Sequence, residues 1–297
     1  MAPTLAQLRA VDALARTGQF SRAAREIGVS QPTVSAQVQA FESASPFRIF
    51  HRDGHSIRVA PEAESLVAKI RIALACLDEI ERDMRGEGGA AARRLSLGFS
   101  AHRLIMPILS AFVRRHGEIR VVTRGGPSAE LIEAVLKGDL DLAAISRPAP
   151  DPRLVCFELA RCRIVVYGQK GHAALASGAI RIADLDGQKM VLWNRLSGTR
   201  SLLDRLAEAA GIVLDPVMEV ATLDVAYAAA AVGIGLAIAV EGEVEADEHI
   251  DVAVLEDAGS DIGHYLVTLP EYVRHAAVAA FLALAAEGVV GPAPARF

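Results

Sequence analysis

The chain has 297 residues, 52% of them hydrophobic, with 31 Lys and Arg against 36 Asp and Glu. That apolar fraction excludes a disordered chain, and the length exceeds one small module, so two or three folded units are expected. The net charge of −5 argues against nucleic-acid contact over the whole surface, but the charge is uneven: residues 1–60 hold seven Arg, no Lys and four acidic residues, so the head carries +3 and the remainder −8.

In chain order, Leu5, Leu8, Val11, Leu14 and Ala15 make the apolar stripe of a first helix. Ser21 is predicted to cap a second helix that buries Ala23, Ala24 and Ile27 and stops at Gly28, where glycine tolerates positive φ. Ser30 caps a third helix with Pro32 in its first turn, and Val34, Val38 and Phe41 share its buried face by i, i+4, i+7 spacing. The rest of that helix presents Gln31, Pro32, Thr33, Ser35, Ala36, Gln37, Gln39 and Ser43, a polar, small and uncharged surface. Gln pairs bidentately with adenine, and Ser or Thr donates or accepts, so the surface suits base edges in a major groove. A helical hairpin with a solvated face is the plainer alternative; the Gly-Val-Ser-Gln-Pro turn of residues 28–32 favours a helix-turn-helix.

Between short β runs, Asp53-Gly54 signals a hairpin, with Arg52 and Arg58 placed to meet phosphates and His51 and His55 nearby. Helix-turn-helix plus hairpin is a winged helix over residues 1–61. On these residues the head resembles the DNA-binding domain of the LysR-type transcriptional regulators. The resemblance is carried by Leu5 to Leu8, Gly18 to Ala24, Val29-Ser30-Gln31-Pro32, Val34-Ser35, Gln37-Val38, Phe41-Glu42 and Ile49-Phe50-His51-Arg52. It implies base contacts from Gln31, Pro32, Thr33 and Ser35 and a backbone contact from Arg52.

Residues 62–92 read as a linker. Leu66, Ile70, Ala73, Leu77, Ile80 and Met84 are spaced 4, 3, 4, 3, 4, the seam of a coiled coil, and Gly86 to Ala92 reads as a flexible hinge. A helix packed on its own domain is the alternative to pairing with a second copy. Homodimers fit two half-sites about 34 Å apart or a multiple of that; the family resemblance implies dimers, often assembled into tetramers.

From residue 93, strand-like runs (94–99, 119–123, 140–145, 163–167, 190–193, 217–220, 236–239, 265–268) alternate with helix-like runs (102–115, 129–137, 199–210, 223–232, 273–287). Such alternation predicts an α/β fold with largely parallel sheets. Ile105 to Leu109, Gly138 to Ala143, Gly171 to Ala173, Ile182 to Leu185 and Val232 to Gly235 resemble the same family's effector domain. That resemblance implies a two-lobed, periplasmic-binding-protein-like fold over 93–297, with one lobe near 93–160 and 265–297 and the other near 161–264. Ligands of such folds sit where strands end and helices begin. The candidates are Ser100, Ala101, His102, Ser128 and Ser146 on one side and Asn194, Ser197, Thr199, Arg200 and Thr222 on the other. Hydroxyls, helix starts and guanidinium groups favour a small anion; helix capping is the alternative for Ser100, Ser128 and Thr199.

Cys76, Cys156 and Cys162 have no metal spacing and are expected to be buried free thiols. No signal peptide is expected, since the first helix carries Arg9, Asp12 and Arg16 in place of an apolar core, and the longest apolar run, Val225 to Val240, is shorter than a membrane span needs and is expected to be a helix, a glycine turn and a strand. The expectation is a cytoplasmic regulator with no cofactor, metal or membrane partner. It binds double-stranded DNA and a small effector, pairs with itself, and has RNA polymerase as a further candidate partner. The alternatives are a constitutive DNA binder and a small-molecule enzyme with an accessory head; no Gly-x-Ser-x-Gly elbow or phosphate loop supports the enzyme.

Overall fold

A computed structural model of the chain describes residues 2–53, 56–84 and 93–287. The expected hairpin tip at Gly54 and the expected hinge at Gly86 to Ala92 lie outside the described residues. The chain divides into two compact units, one comprising Met1–Ala92 with Leu136–Asp139, the other Arg93–Val135 with Leu140–Phe297.

The head is built from α1 (Leu5–Thr17), α2 (Phe20–Glu26) and α3 (Gln31–Ser43), followed by β1 (Phe50–Asp53) and β2 (Ser56–Val59) as an antiparallel pair. Thr4 and Gln7 form a capping box at the start of α1, and Ser30 Oγ accepts from Thr33 N at the start of α3. Ser21, expected to cap α2, lies within its first turn instead; the cap position is Gln19, with no side-chain bond. Phe20, packed against the core, begins that helix, so apolar burial sets the start where no capping hydroxyl does. Gly28 has φ +70°, which lets the chain reverse between α2 and α3. Ala10, Val11, Leu14, Ala23, Val34, Val38, Phe41 and Ile49 form the shared core.

Helix α4 (Glu64–Met84) splits the seam read from sequence. Val67, Ile70 and Leu74 join the head core, so the first half is packed on its own domain, whereas Ile80 is 54% and Met84 83% exposed. Buried Asp12 of α1 accepts from Arg16 Nε at 2.9 Å and from Arg71 Nε of α4 at 2.8 Å, fixing α4 on α1 with charge-assisted hydrogen bonds. Cys76 is exposed and Cys156 and Cys162 are half-buried, which corrects the expectation of buried thiols: Cys76 sits on the outward side of α4.

In the body, β3 (Arg93–Phe99), β4 (Ile119–Gly125), β5 (Leu142–Arg147), β6 (Val155–Gln169) and β12 (Asp261–Thr268) form a sheet ordered β4-β3-β5-β12-β6. It packs with α5 (His102–Arg115), α6 (Ser128–Leu136) and α9 (Ala276–Ala286), where Phe112 and Phe281 meet at 5.2 Å. Strand β6 then continues into a second sheet. Residues 164–169 pair with β10 (Leu236–Val240) and β11 (Ile250–Leu255), and β10 leads on to β8 (Lys189–Trp193) and β9 (Asp215–Val220). A short β7 (Ala179–Ile180) flanks β11. Helices α7 (Gly198–Ala210) and α8 (Leu223–Ala231) complete this second lobe over two cores, one on each face of the sheet.

Three departures from the sequence reading have physical reasons. β6 runs 15 residues where only 163–167 was predicted, because its first half lacks a strict polar–apolar alternation and takes its strand form from pairing along β12. β11 carries Asp251 among its apolar residues, which hid it in the sequence. The last helix starts at Ala276, not 273, because Pro270 opens a separate 3-10 turn. The Val225–Val240 run is a helix, a glycine turn and a strand, and no helix among the described residues is long and apolar enough to cross a membrane.

Candidate functional site

Two polar assemblies stand out, one in each unit. In the head, Gln31, Pro32, Thr33, Ser35, Ala36 and Gln39 are all exposed along α3, and Gln37 is half-exposed. The helix holds this surface out because Val34, Val38 and Phe41 fix its other side in the core. Thr33 has less freedom than its neighbours: its hydroxyl lies 2.7 Å from Ser30 Oγ, within the cap. The wing is anchored to the same helix. Glu42 Oε1 accepts from Ile49 N and Phe50 N, both at 3.1 Å, so the carboxylate at the end of α3 sets where β1 begins. An acidic residue in a last helical turn runs against the helix dipole, and that mismatch was the sequence signal for Glu42's positioning role. Arg58 is exposed on β2; Arg52 lies opposite Ile57 in the pair, and its side chain is outside the described residues. Arg22, Arg25 and Arg48 are also exposed on the head and add cationic surface that the sequence reading did not single out.

In the body, the end of β3, β5 and the start of α6 bring three of the candidate serines together. Ser146 is the hub. Its Oγ lies 3.3 Å from Ser100 Oγ and 3.0 Å from His264 Nδ1, and its backbone N donates to Ser128 Oγ at 3.1 Å. Ser128 is the first residue of α6 and is buried, so its hydroxyl serves Ser146 and does not cap its own helix. Ala101 is buried at the cap position of α5, and His102, the first residue of that helix, is exposed.

The second-lobe loop meets the same hub. A Cβ placed on Gly198 would lie 1.8 Å from the Ser146 carbonyl oxygen, so only glycine permits this approach. Leu196 O accepts from Ala129 N at 3.3 Å. Ser197 caps α7 by accepting from Arg200 N, and Asn194 Oδ1 accepts from Leu196 N at 3.1 Å. Thr199 is buried beside them. Arg200 is 5% exposed; its Nε donates to Asp204 at 2.6 Å and its Nη1 to Trp193 O at 3.4 Å, so the guanidinium is held within its own lobe. Thr222 stands at the start of α8 and its hydroxyl bonds Asp224, holding that carboxyl below the usual range. None of the hydrogen bonds described joins Thr222 to the Ser146 hub.

His264 was missed from sequence. It sits just outside the predicted strand 265–268, and a bulge between His264 and Tyr265 breaks the alternation that would have marked it. Burial pushes its imidazole down to about 4, so the ring is neutral near pH 7. Nearby, buried Asp151 is held well below the ordinary carboxylate range, first by its hydrogen bonds from Arg153 and then by Arg147.

Comparison with known proteins bears on both assemblies. Residues 5–64 match the bacterial regulatory helix-turn-helix proteins of the lysR family, and residues 88–289 match the LysR substrate binding domain. The regulator CbbR of Xanthobacter flavus is 32% identical over 229 residues, covering 75% of this chain and 68% of CbbR. Among solved structures, a full-length OxyR variant from Pseudomonas aeruginosa superposes with a TM-score of 0.72 at 19% identity, over 100% of this chain and 99% of OxyR. Full-length CbnR complexed with its target DNA gives 0.57 at 19%, over 97% and 100%. The Synechocystis PCC6803 CcmR regulatory domain in complex with 2-PG gives 0.60 at 17%, over 67% and 98%. At these identities the structural likeness speaks for the fold, while the matched segments at both ends of the chain speak for the family. The chain belongs to the LysR family: it is a DNA-binding transcriptional regulator with an effector-binding domain.

Proposed function

We propose that the head, residues 1–61, reads operator DNA through the exposed face of α3. Gln31, Pro32, Thr33, Ser35, Gln37 and Gln39 approach the base edges and Arg52 and Arg58 the phosphates. The observation that carries this reading is the run of exposed, uncharged polar side chains on a helix whose other side is locked in the core. The DNA-bound form of CbnR, a protein of the same fold, supports it. Half-site spacing calls for at least a homodimer. The exposed end of α4, with Ile80 and Met84, is the surface for it within the linker of residues 62–92, and tetramers follow if the body also pairs. Quantitative footprinting on the promoter region beside the gene, with wild type and Ser35→Arg, tests the assignment. A footprint unchanged by Ser35→Arg removes α3 from base reading.

The effector reading is that residues 93–297 take a small anion at the Ser146 hub. Ser100, Ala101, His102 and Ser128 line one side; Asn194, Ser197, Thr199, Arg200 and Thr222 line the other. Its support is the convergence of Ser100, Ser128 and Ser146 with the glycine-permitted approach of the second lobe, and the 2-PG complex of CcmR. A ligand that binds one lobe arrangement better than another shifts the population, and with it how copies of the chain engage DNA and RNA polymerase. Native mass spectrometry of protein purified without denaturation tests for a retained anion.

Ser146 and His264 form a hydroxyl–imidazole pair, yet we read no catalysis in it. The ring titrates near 4 and its Nε2 carries no acid to orient it, both unfit for a base at neutral pH. The reading is a cytoplasmic regulator, not an enzyme; turnover of a retained ligand on incubation would reverse it.

A further inference from the structure

The serine cluster ends on an atom that no hydrogen bond accounts for. His264 is 3% exposed and its Nδ1 faces Ser146 Oγ, but its Nε2 is buried with no hydrogen-bond partner among the described residues. Register places the ring there: β12 sets His264 opposite Ser146 of β5 and Ala160 of β6. From Ser146 the chain of polar groups continues to Ser100 Oγ, which is half-buried.

Groups in series can pass their protons in only two directions. In one, Ser100 donates to Ser146, Ser146 donates to Nδ1, and an N–H is left at Nε2 with no acceptor in the interior. In the other, Nδ1–H donates to Ser146, Ser146 donates to Ser100, and Nε2 keeps a bare lone pair. Orphaned buried N–H groups are rarer than underused acceptors, which favours the second direction. Ser100's proton is then free for a ligand. The other acceptor described for it, Ala144 O, is 3.5 Å away and already accepts Ser100 N at 2.9 Å.

We propose that His264 is a positioning residue for effector recognition: by donating from Nδ1 it turns the Ser146 and Ser100 hydroxyls outward, making Ser100 a donor to a carboxylate or equivalent oxyanion on the ligand. The inference rests on the effector reading above and specifies its chemistry. The guanidinium groups nearest the hub are already engaged, Arg200 by Asp204 and Trp193 O and Arg147 by Asp151, so the donor at this point is the Ser100 hydroxyl. Recognition at this point is by oriented neutral donors, and a ligand offering only a donor, such as an ammonium, is disfavoured.

The test uses the full-length chain labelled with 15N-histidine. Long-range proton–nitrogen correlation reads the tautomer of each ring, with the His264 signal assigned by its loss in His264→Asn. The expected result at neutral pH is protonated Nδ1 and bare Nε2; a protonated Nε2 overturns the proposal. Binding is then followed with acetate, lactate and benzoate as probes and benzylamine as the donor-only control. His264→Asn retains a donor near the Nδ1 position and is expected to keep carboxylate affinity within about threefold of wild type. His264→Leu is expected to lose about tenfold, with a somewhat lower melting temperature because buried Ser146 Oγ loses its partner. Equal carboxylate affinity in wild type and His264→Leu overturns the positioning role. If no probe binds wild type, the effector reading is what fails, and the tautomer still decides the direction of the chain.

Discussion

The two polar assemblies of this chain are built in opposite ways. The face of α3 draws its groups from nine consecutive residues, 31–39, and holds them in solvent. The Ser146 hub draws Ser100, Ser128, Ser146 and His264 from segments up to 164 residues apart, counted from 100 to 264, and three of the four are buried and bonded to one another. An exposed surface of this kind answers to a large partner that brings its own desolvation. A buried one is settled before the ligand arrives, so its donors are already aimed. The first can therefore lose a side chain without cost to the fold, and the second cannot.

The largest effect expected is on the exposed side. Ser35→Arg places a long cation on the face proposed to read bases and is expected to lower specific operator affinity by about a hundredfold or more, with thermal stability unchanged. Fluorescence anisotropy against operator and scrambled duplexes measures it, and a preserved preference would break the comparison. By contrast, Asp151→Ala in the body removes the buried carboxylate that Arg147 and Arg153 share and, because both guanidinium groups keep access to water, is expected to cost about 1 to 2 kcal/mol. Its sign with pH is fixed by the depressed folded value: the stabilisation is complete above about pH 4, the unfolded range, and is lost as pH falls below it. Asp151→Asn should therefore flatten the acid limb of the melting-temperature profile.

Smaller effects sharpen the contrast. Gly198→Ala drives a Cβ into the Ser146 carbonyl and is expected to cost about 2 kcal/mol as the second-lobe loop gives way. A thermal melt indistinguishable from wild type would show that the approach is not constrained. Ser100→Ala is expected to weaken effector response about tenfold while operator affinity without effector stays the same; a normal dose response would move the ligand elsewhere. Gln39→Ala, on the exposed face, should change stability by no more than about 0.5 kcal/mol.

The head was legible because its information is local. Caps, the Gly28 turn and the spacing of Val34, Val38 and Phe41 each operate within a few residues, and they fixed which side of α3 faces out. Where a local rule competed with burial, as at Ser21 against Phe20, packing prevailed. The linker showed the limit of periodicity: the spacing of 4 and 3 is real along α4, but only contact could tell that its first half joins the head core. In the body, Ser100, Ser128 and the 194–200 loop were visible as strand ends and helix starts, because that is where backbone donors are unsatisfied.

By itself the sequence determined the head, the alternation of the body and the residue types from which a ligand site is assembled. Tertiary structure alone decided that Arg200 is held by Asp204, that Gly198 closes on Ser146, and that His264 ends the hydroxyl chain. The reason is register: β12 pairs antiparallel with β5 across more than a hundred residues of chain, and no local propensity encodes which histidine such pairing will set beside which serine.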